Sequence, residues 1–104
     1  MKKYLVYITT PTEEEAKKIA KTLVEERLAS GVNILPGISS VYWWEGKINE
    51  ENEIFLLGQT KESCIDELIE RVKEIHSYTC PCVVAVPIEK GYKNFLGWIE
   101  RETL

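Results

Sequence analysis

The spacing of apolar positions changes several times along the chain, and each change indicates a different secondary-structure element. Residues 4–8 form a nearly continuous apolar run, typical of a strand that is covered on both faces. Thr12 then stands three residues before Glu15, which is the spacing of a helix capping box. Apolar residues follow at helical spacing on one face: Ala16, Ile19, Ala20, Leu23, Val24 and Leu28. We expect this helix to end at Ser30-Gly31, where Gly31 is free to take the left-handed conformation.

The middle of the chain predicts a long β-hairpin. Residues 32–44 are β-prone and are interrupted by Pro36-Gly37, which indicates a bend or bulge because proline cannot donate to a strand ladder. Glu45-Gly46-Lys47 has turn character, and after a polar stretch residues 53–57 return as an apolar strand. We therefore expect residues 32–60 to form two antiparallel strands.

The last third of the chain predicts a helix, a strand and a second, shorter helix. The first helix ends near His76 and has these apolar positions: Ile65, Leu68, Ile69, Val72 and Ile75. Residues 77–82 are expected to form a loop, and residues 83–86 a buried strand. The short terminal helix has these residues on one side: Phe95, Leu96, Trp98 and Ile99.

The resulting order is β-α-β-β-α-β-α. With right-handed crossovers in both β-α-β halves, this order predicts an α+β fold, the ferredoxin-like βαββαβ sandwich with an extra C-terminal helix. Two helices are expected on one face of a single sheet. The length of 104 residues fits one domain, residues 1–104, with one core.

Charge and cysteine content narrow the classes of function. Seventeen acidic and thirteen basic residues give a formal net charge of -4, which argues against a nucleic-acid partner. The apolar run after Met1-Lys2-Lys3 is too short for a signal-peptide core or a membrane span, so we expect a cytoplasmic protein without membrane contact. The three cysteines are expected to remain free thiols and not to form a disulfide framework.

Residues 32–47, VNILPGISSVYWWEGK, resemble the signature stretch of the CutA family of divalent-cation-tolerance proteins. The resemblance extends over nearly the whole chain, at Thr10-Pro11, Gln59-Thr60, His76-Ser77-Tyr78 with Pro81, and Phe95-Leu96-Gly97-Trp98-Ile99. It implies a cytoplasmic homotrimer in which the sheets of three subunits pack around a common axis. It also implies a role in tolerance to copper and other divalent cations.

The aromatic end of the hairpin gives an independent reason to expect assembly. Neighbouring strand residues point to opposite faces, so Trp43 and Trp44 cannot both enter the core of one subunit. A long edge strand that also carries Tyr42 invites uncontrolled pairing unless something covers it. The enrichment of aromatic residues in interface cores favours a subunit contact. The alternative is that the terminal helix covers these rings within one chain.

A cleft between subunits is a candidate ligand site. Trp44 and Tyr78 are the candidates to line it, with Glu45 or Lys47 pointing in, while the alternative is a turn with a structural role only. The acidic residues Glu50, Glu51 and Glu53 are a second candidate, as a surface for hard cations. A run of carboxylates is more often a solvated loop.

Candidate metal ligands are densest in the segment His76-Ser77-Tyr78-Thr79-Cys80-Pro81-Cys82. Imidazole and thiolate suit copper and zinc, and an extended segment places Cys80 and Cys82 on the same side. We therefore take His76, Cys80 and Cys82 as candidate ligands of a weak site, with no obligatory cofactor. Their spacing does not fit a structural zinc site. In the alternative, Cys82 packs as a small apolar residue, Cys80 is a loop residue, and His76 hydrogen-bonds near a helix end.

The same segment departs from the family pattern. That pattern has His-Pro-Tyr followed by Pro-Glu, whereas this chain has Ser77 in place of the first proline and Cys82 in place of the glutamate. Copper ligation proposed for some bacterial relatives uses a cysteine at the end of strand one and two adjacent histidines. The corresponding positions here are Ile8, Ile75 and His76, so only His76 matches.

The chain has no motif that is typical of catalysis. It lacks GxGxxG, a P-loop and a Ser-His-Asp constellation, and Thr9-Thr10-Pro11-Thr12 lacks the arginine of an acylphosphatase loop. We therefore expect a protein that is not an enzyme and binds metal ions weakly. The alternative is a small-molecule sensor or scaffold trimer that resembles PII signalling proteins and has ligand clefts between subunits.

Overall fold

The computed structural model describes residues 1–104, and its elements follow the predicted order. They are β1 (Lys3–Thr10), α1 (Glu13–Glu25), β2 (Gly31–Trp44), β3 (Lys47–Lys61), α2 (Ile65–Ile75), β4 (Val83–Pro87) and α3 (Lys93–Glu102), with one 3-10 turn before α2. The strands form a single antiparallel sheet in the order β2-β3-β1-β4. This is the ferredoxin-like arrangement, and the α+β prediction is confirmed.

Helix α1 begins where its cap was predicted. The Oγ1 of Thr12 accepts the Glu15 N–H at 3.2 Å, which satisfies one of the free donors of the first turn. The other half of the capping box is replaced by a tertiary contact. The carboxylate of Glu15 accepts the backbone N–H of Ser77 at 2.9 Å. The start of α1 is therefore tied to the loop that follows α2.

The predicted end of α1 at Gly31 was wrong. The residue with left-handed backbone is Arg27, with a φ of 59°, and Gly31 is already the first residue of β2. Arg27 N–H donates to the Val24 carbonyl at 3.0 Å, and Leu28 N–H donates to the Leu23 carbonyl at 2.9 Å. This pair of bonds is a Schellman motif. It directs Leu28 into the core, where the side chain is almost fully buried.

The hairpin of β2 and β3 has the bulge and the turn that the sequence indicates. The pairing shifts register between Leu35 and Ile38, and Gly37 takes a φ of 80° there. Glu45 and Gly46 form the turn with φ of 50° and 77°, as a tight hairpin turn requires. The polar stretch before residue 53 is not an interruption, since it continues β3. Residues 38–53 thus form a two-stranded arm beyond the four-stranded sheet.

The core lies between α1, α2 and one face of the sheet. It is a single apolar cluster made by residues of β1, β3, α1, α2 and the connection between α1 and β2: Val6, Ile8, Ala16, Ile19, Ala20, Leu23, Leu28, Ala29, Ile54, Leu56, Leu68 and Val72. Alternation along each strand sends every second side chain into this cluster. The remaining side chains form the opposite face, called the open face below.

The predictions that β1 is covered on both faces and that β4 is a buried strand are wrong for the single chain. Tyr7, Val84 and Val86 lie on the open face, and Val86 is 52% exposed. Leu35 of β2 is exposed as well. No helix packs over these side chains, because α1 and α2 lie on the other side of the sheet. A row of apolar residues is therefore left without cover.

Helix α3 packs at the end of the sheet that is remote from the arm. Ile99 is fully buried, the ring of Trp98 lies over Gly31, and Lys61 Nζ donates to Glu100 Oε2 at 3.1 Å. The alternative that α3 covers the arm tryptophans is therefore wrong: Trp43 remains 71% exposed. None of the helices combines the length and the apolar composition that a membrane span requires.

Candidate functional site

His76 holds the loop after α2 against the end of β1. It is the C-cap residue of α2, and its side chain is completely buried. The ring Nε2 lies 2.7 Å from the Thr9 carbonyl oxygen, and because a carbonyl only accepts, Nε2 carries the proton. The other ring nitrogen, Nδ1, accepts the Tyr78 N–H at 3.0 Å. Both nitrogens of His76 are therefore used within the fold.

Tyr78 connects this loop to the base of the arm. Its hydroxyl donates to Glu53 Oε2 at 2.8 Å. Glu53 lies on β3 and is only 5% exposed, although it belongs to the acidic run expected to be a solvated loop. Partial burial and the neighbouring Glu53 carboxylate raise the pKa of the Tyr78 phenol well above its usual value. Tyr78 therefore acts as a neutral hydrogen-bond donor to Glu53.

The cysteines occupy different environments. Cys80 is exposed in the loop, Cys82 is half-buried beside Tyr7 and Thr9, and Cys64 is buried next to the C-terminus. Burial is the main cause that raises the pKa of the Cys82 thiol, and the Glu53 carboxylate adds to it. Hydrogen bonds with Tyr7 and Thr9 act in the opposite direction.

A cavity of about 870 Å³ lies between the arm, the end of β1 and the loop after α2. We call it the arm cavity. Its aromatic lining comprises Tyr7, Tyr42, Trp43, Trp44 and Tyr78. Its ionisable lining comprises Glu51, Glu53, Cys80 and Cys82, and no lysine or arginine lines it. The other residues of the wall are small, polar or aliphatic.

The fold places the predicted site residues in two groups. Most of them line the arm cavity: Tyr42, Trp43, Trp44, Tyr78, Cys80 and Cys82. Glu45 and Lys47 lie exposed at the hairpin turn, outside its wall. His76 points to Thr9 instead of joining the two cysteines. No three histidine, cysteine, aspartate or glutamate side chains lie close enough together to hold a metal ion.

Sequence reasoning did not identify Tyr7, Thr9 and Glu53 as lining residues of one cavity. The signal that was available is alternation, since Glu53 shares a strand face with Phe55, whose ring stacks on Tyr7 with a centroid distance of 4.9 Å. Glu53 therefore occupies a strand position whose side chain lies on the open face, and it is not a loop residue. Its burial depends on Tyr78, which is distant in the sequence.

The arm cavity has a negative electrostatic character. The pKa values of Tyr7, Tyr42, Tyr78 and Cys82 are all raised, and burial is the main cause. The carboxylates of Glu51 or Glu53 add to it in each case, after the Cys82 thiol in the case of Tyr7. Each of these groups would become an anion on losing its proton, so the carboxylates oppose that loss. The arrangement therefore disfavours further negative charge and favours a positively charged guest.

Comparison with protein families gives a match over almost the entire chain. The model of the family described as CutA1 divalent ion tolerance protein matches residues 4–102. The Divalent-cation tolerance protein CutA of Thermus thermophilus is 48% identical over 99 residues, which cover 95% of this chain and 96% of the relative. A solved structure of the Cut A1 protein from that organism has a TM-score of 0.95 at 48% identity, covering 97% of this chain and 98% of the other.

Two further relatives differ in the cellular setting that their names give. The structure of the periplasmic divalent cation tolerance protein CutA from Archaeoglobus fulgidus has a TM-score of 0.92 at 47% identity, covering 96% of this chain and 97% of the other. Protein CutA 1, chloroplastic, from Oryza sativa is 46% identical over 99 residues, which cover 95% of this chain and 56% of the rice protein.

Proposed function

The chain belongs to the CutA1 divalent ion tolerance family, and from that premise we propose that it contributes to metal-ion tolerance by binding copper or other thiophilic ions weakly. We propose further that it does so as a cytosolic homotrimer without enzymatic activity. The observation that carries the metal proposal is the arm cavity, where Cys80 and Cys82 share one wall with two carboxylates. Thiolates supply soft ligands, and the carboxylates attract cations.

The proposed ligand set is narrower than the one expected from the sequence. His76 can bind a metal ion only if it gives up its hydrogen bond with Thr9 or Tyr78. The side chains of Cys80 and Cys82 make no hydrogen bond with the backbone that a metal ion would have to replace. A pair of thiolates suits monovalent copper. His76 is then a positioning residue, because it fixes the loop on which both thiols lie.

The binding is expected to be weak near neutral pH. A thiol must lose its proton to bind a metal ion, and the raised pKa of Cys82 makes that loss more costly. Affinity for Cu(I) should therefore rise with pH. Two thiolates also supply fewer protein ligands than a closed structural site has.

Calorimetric titration of the reduced protein with Cu(I), Cu(II) and Zn(II) tests this assignment. Cys80→Ser and Cys82→Ser should each weaken Cu(I) binding at least tenfold. Cys64→Ala is the matched control, because this thiol is buried beside the Leu104 carbonyl, away from the cavity, and its loss should leave binding unchanged. If both serine variants bind Cu(I) like the parent protein, the thiol pair is not the site.

Assembly is proposed from the open face and the arm. Val84, Val86 and Leu35 are apolar and uncovered, and the arm carries the exposed Trp43. Contiguous apolar surface of this kind marks interaction sites, and a second and third copy of the chain would remove it from water. The cytosolic setting is proposed because reducing conditions keep Cys80 and Cys82 as thiols. Cell fractionation against a periplasmic marker tests that setting.

A second function, small-molecule sensing, is favoured by the size of the arm cavity. Its volume of about 870 Å³ lies within the range of about 300–1,000 Å³ that is usual for small-molecule sites. A sensor or scaffold trimer would use this cavity beside a subunit boundary. A thermal-shift screen of nucleotides, amino acids and amines at fixed protein concentration tests it, since a ligand that binds only the folded state raises the melting temperature.

A further inference from the structure

Helix α3 has a smaller apolar attachment to the fold than the other two α-helices. Helix α1 buries four of its residues and α2 buries two, whereas α3 buries one, Ile99. Ile99 is not a member of the apolar cluster that forms the core. The ring of Trp98 adds a close contact with Gly31, where a Cβ would lie 3.2 Å from the ring. Apolar burial therefore contributes less to holding α3 than to holding α1 or α2.

The polar contacts of α3 converge on Glu100. Lys3 on β1 forms an ion pair with Glu100 Oε1 at 2.8 Å, and Lys61 on β3 donates to Oε2 at 3.1 Å. The amino group of Met1 lies 3.9 Å from Oε1, so the charged groups that face this carboxylate are all cationic. Lys61 also donates to the carbonyl oxygens of Glu100 and Thr103, both at 3.3 Å. It thereby satisfies free acceptors at the end of α3.

Glu100 is the only acidic residue that pairs with either lysine. The side chains of Lys3 and Lys61 are 13% and 10% exposed, and Glu100 Oε1 is a buried atom. Removing the charge of Glu100 leaves both ammonium groups with little water and no counter-charge, which is costly. Detachment of α3 relieves this cost because it returns both lysines to water. A neutral Glu100 therefore favours release of the helix.

The residues after α3 cover a thiol. Thr103 is buried, and the Leu104 carbonyl oxygen accepts from Cys64 Sγ at 3.7 Å. Cys64 lies in the 3-10 turn before α2 and is 3% exposed. The core cluster includes no residue of α3 or of the two positions that follow it. Release of α3 with these two positions therefore uncovers Cys64 and leaves the core cluster in place.

We propose that residues 93–104 form a charge-held latch, which detaches from the sheet when Glu100 loses its charge and exposes Cys64 before the core unfolds. At neutral pH the latch is closed, because Lys3 and Lys61 lower the pKa of Glu100 from 4.5 to about 2 and keep it ionised. In the detached segment this pKa returns to its usual value, so release is favoured as the pH falls below about 4.5. The contacts lie within one chain and do not depend on the copies that cover the open face.

Labelling of Cys64 with 4,4′-dithiodipyridine, which modifies thiols in acid as well as at neutral pH, tests the proposal. In a Cys80→Ser, Cys82→Ser background, Cys64 is the only thiol. The labelling rate relative to that of the urea-unfolded chain at the same pH measures the population of the open state. At neutral pH, Glu100→Gln should increase this relative rate about tenfold or more. The rates with and without Glu100→Gln should converge as the pH falls from 4.5 toward 2, while circular dichroism still reports a folded core.

Glu102→Gln is the matched control. Glu102 lies on the same helix and pairs with Arg27, but the two side chains are 43% and 56% exposed. Loss of such an exposed pair should change the relative rate by no more than about twofold. An equal acceleration by Glu102→Gln and Glu100→Gln would reject the special role of Glu100.

Two further results would overturn the latch. One is a Glu100→Gln variant whose Cys64 labels at the parent rate at neutral pH. The other is labelling in acid that begins only when circular dichroism shows loss of the core. If Glu100→Gln does not fold, the pH series on the background protein decides the question, because labelling that precedes core unfolding requires a separate opening of residues 93–104.

Discussion

The hydroxyl of Tyr78 and the carboxylate of Glu53 form a 2.8 Å hydrogen bond between the loop after α2 and the base of the hairpin arm. His76 sets the position of this loop through its bonds with Thr9 and with the Tyr78 N–H. Glu15 holds the neighbouring Ser77. The wall of the arm cavity is therefore fixed by contacts between elements that are remote in the sequence.

The bond between Tyr78 and Glu53 should stabilise the fold measurably. Tyr78→Phe leaves the buried carboxylate without its donor, so we expect a loss of about 1–3 kcal/mol in the free energy of unfolding. Glu53→Gln should cost less, because the amide oxygen still accepts from Tyr78. Urea unfolding at one protein concentration measures both. A Tyr78→Phe variant as stable as the parent protein would contradict this role of the contact.

Glu100 should make the stability of the fold depend on pH in the acidic range. Hydrogen bonds from Lys3 and Lys61 lower the pKa of this carboxyl from 4.5 to about 2, against the opposing effect of burial. Because the folded-state pKa is the lower one, the stabilisation is complete above about pH 4.5. It is lost progressively as the pH falls toward about 2.

Thermal unfolding between pH 2 and pH 7 measures this dependence. Glu100→Gln should lower the melting temperature at pH 7 and should differ little from the parent protein near pH 2. Glu89→Gln is the control, since Glu89 is exposed and forms no ion pair. Parallel profiles for the parent protein and Glu100→Gln would rule out this role of Glu100.

Arg27 carries a left-handed backbone at a position where glycine is preferred. Arg27→Gly and Arg27→Ala both remove the exposed ion pair with Glu102, so the difference between them isolates the backbone. We expect the glycine variant to be more stable than the alanine variant by about 1 kcal/mol. Lys21, in the interior of α1, provides the opposite case: Lys21→Gly should be less stable than Lys21→Ala by about 1 kcal/mol. The same sign at both positions would refute the interpretation.

The three thiols should react in a defined order. Exposed Cys80 should react first with Ellman's reagent, half-buried Cys82 more slowly, and buried Cys64 only on unfolding. Because the Glu53 carboxylate helps to raise the pKa of Cys82, Glu53→Gln should lower that pKa and speed the reaction of Cys82 at neutral pH. Single-cysteine variants assign each rate. A Cys82 rate that Glu53→Gln leaves unchanged would exclude the electrostatic coupling.

Much of the fold was predictable because local patterns determine it. Apolar and β-prone runs identified the strands, Thr12 identified the start of α1, and Pro36-Gly37 identified the bulge in β2. The end of α1 was not predictable from glycine placement. The burial of Leu28 and two backbone bonds compensate for the left-handed Arg27, and neither is visible in residue type alone.

The candidate site was predictable only in part. The aromatic residues of the arm and the cysteines of the loop were identified, and they line one cavity. The partner of His76 is a carbonyl 67 residues away, and a backbone acceptor leaves no trace in the sequence. The open face was predicted to be covered, because Val84 and Val86 have the composition of core residues, but no element of the same chain covers it. That composition is the expected one if another copy of the chain covers them.

The central claim is that three copies of the chain cover the open face, and sedimentation equilibrium at micromolar concentration tests it most directly. We predict a mass three times the 12.0 kDa of one chain. Val84→Lys on the open face should reduce that mass, whereas Val24→Lys should not, since Val24 has similar exposure but lies on α1. A stable, folded parent protein of 12.0 kDa would contradict the account.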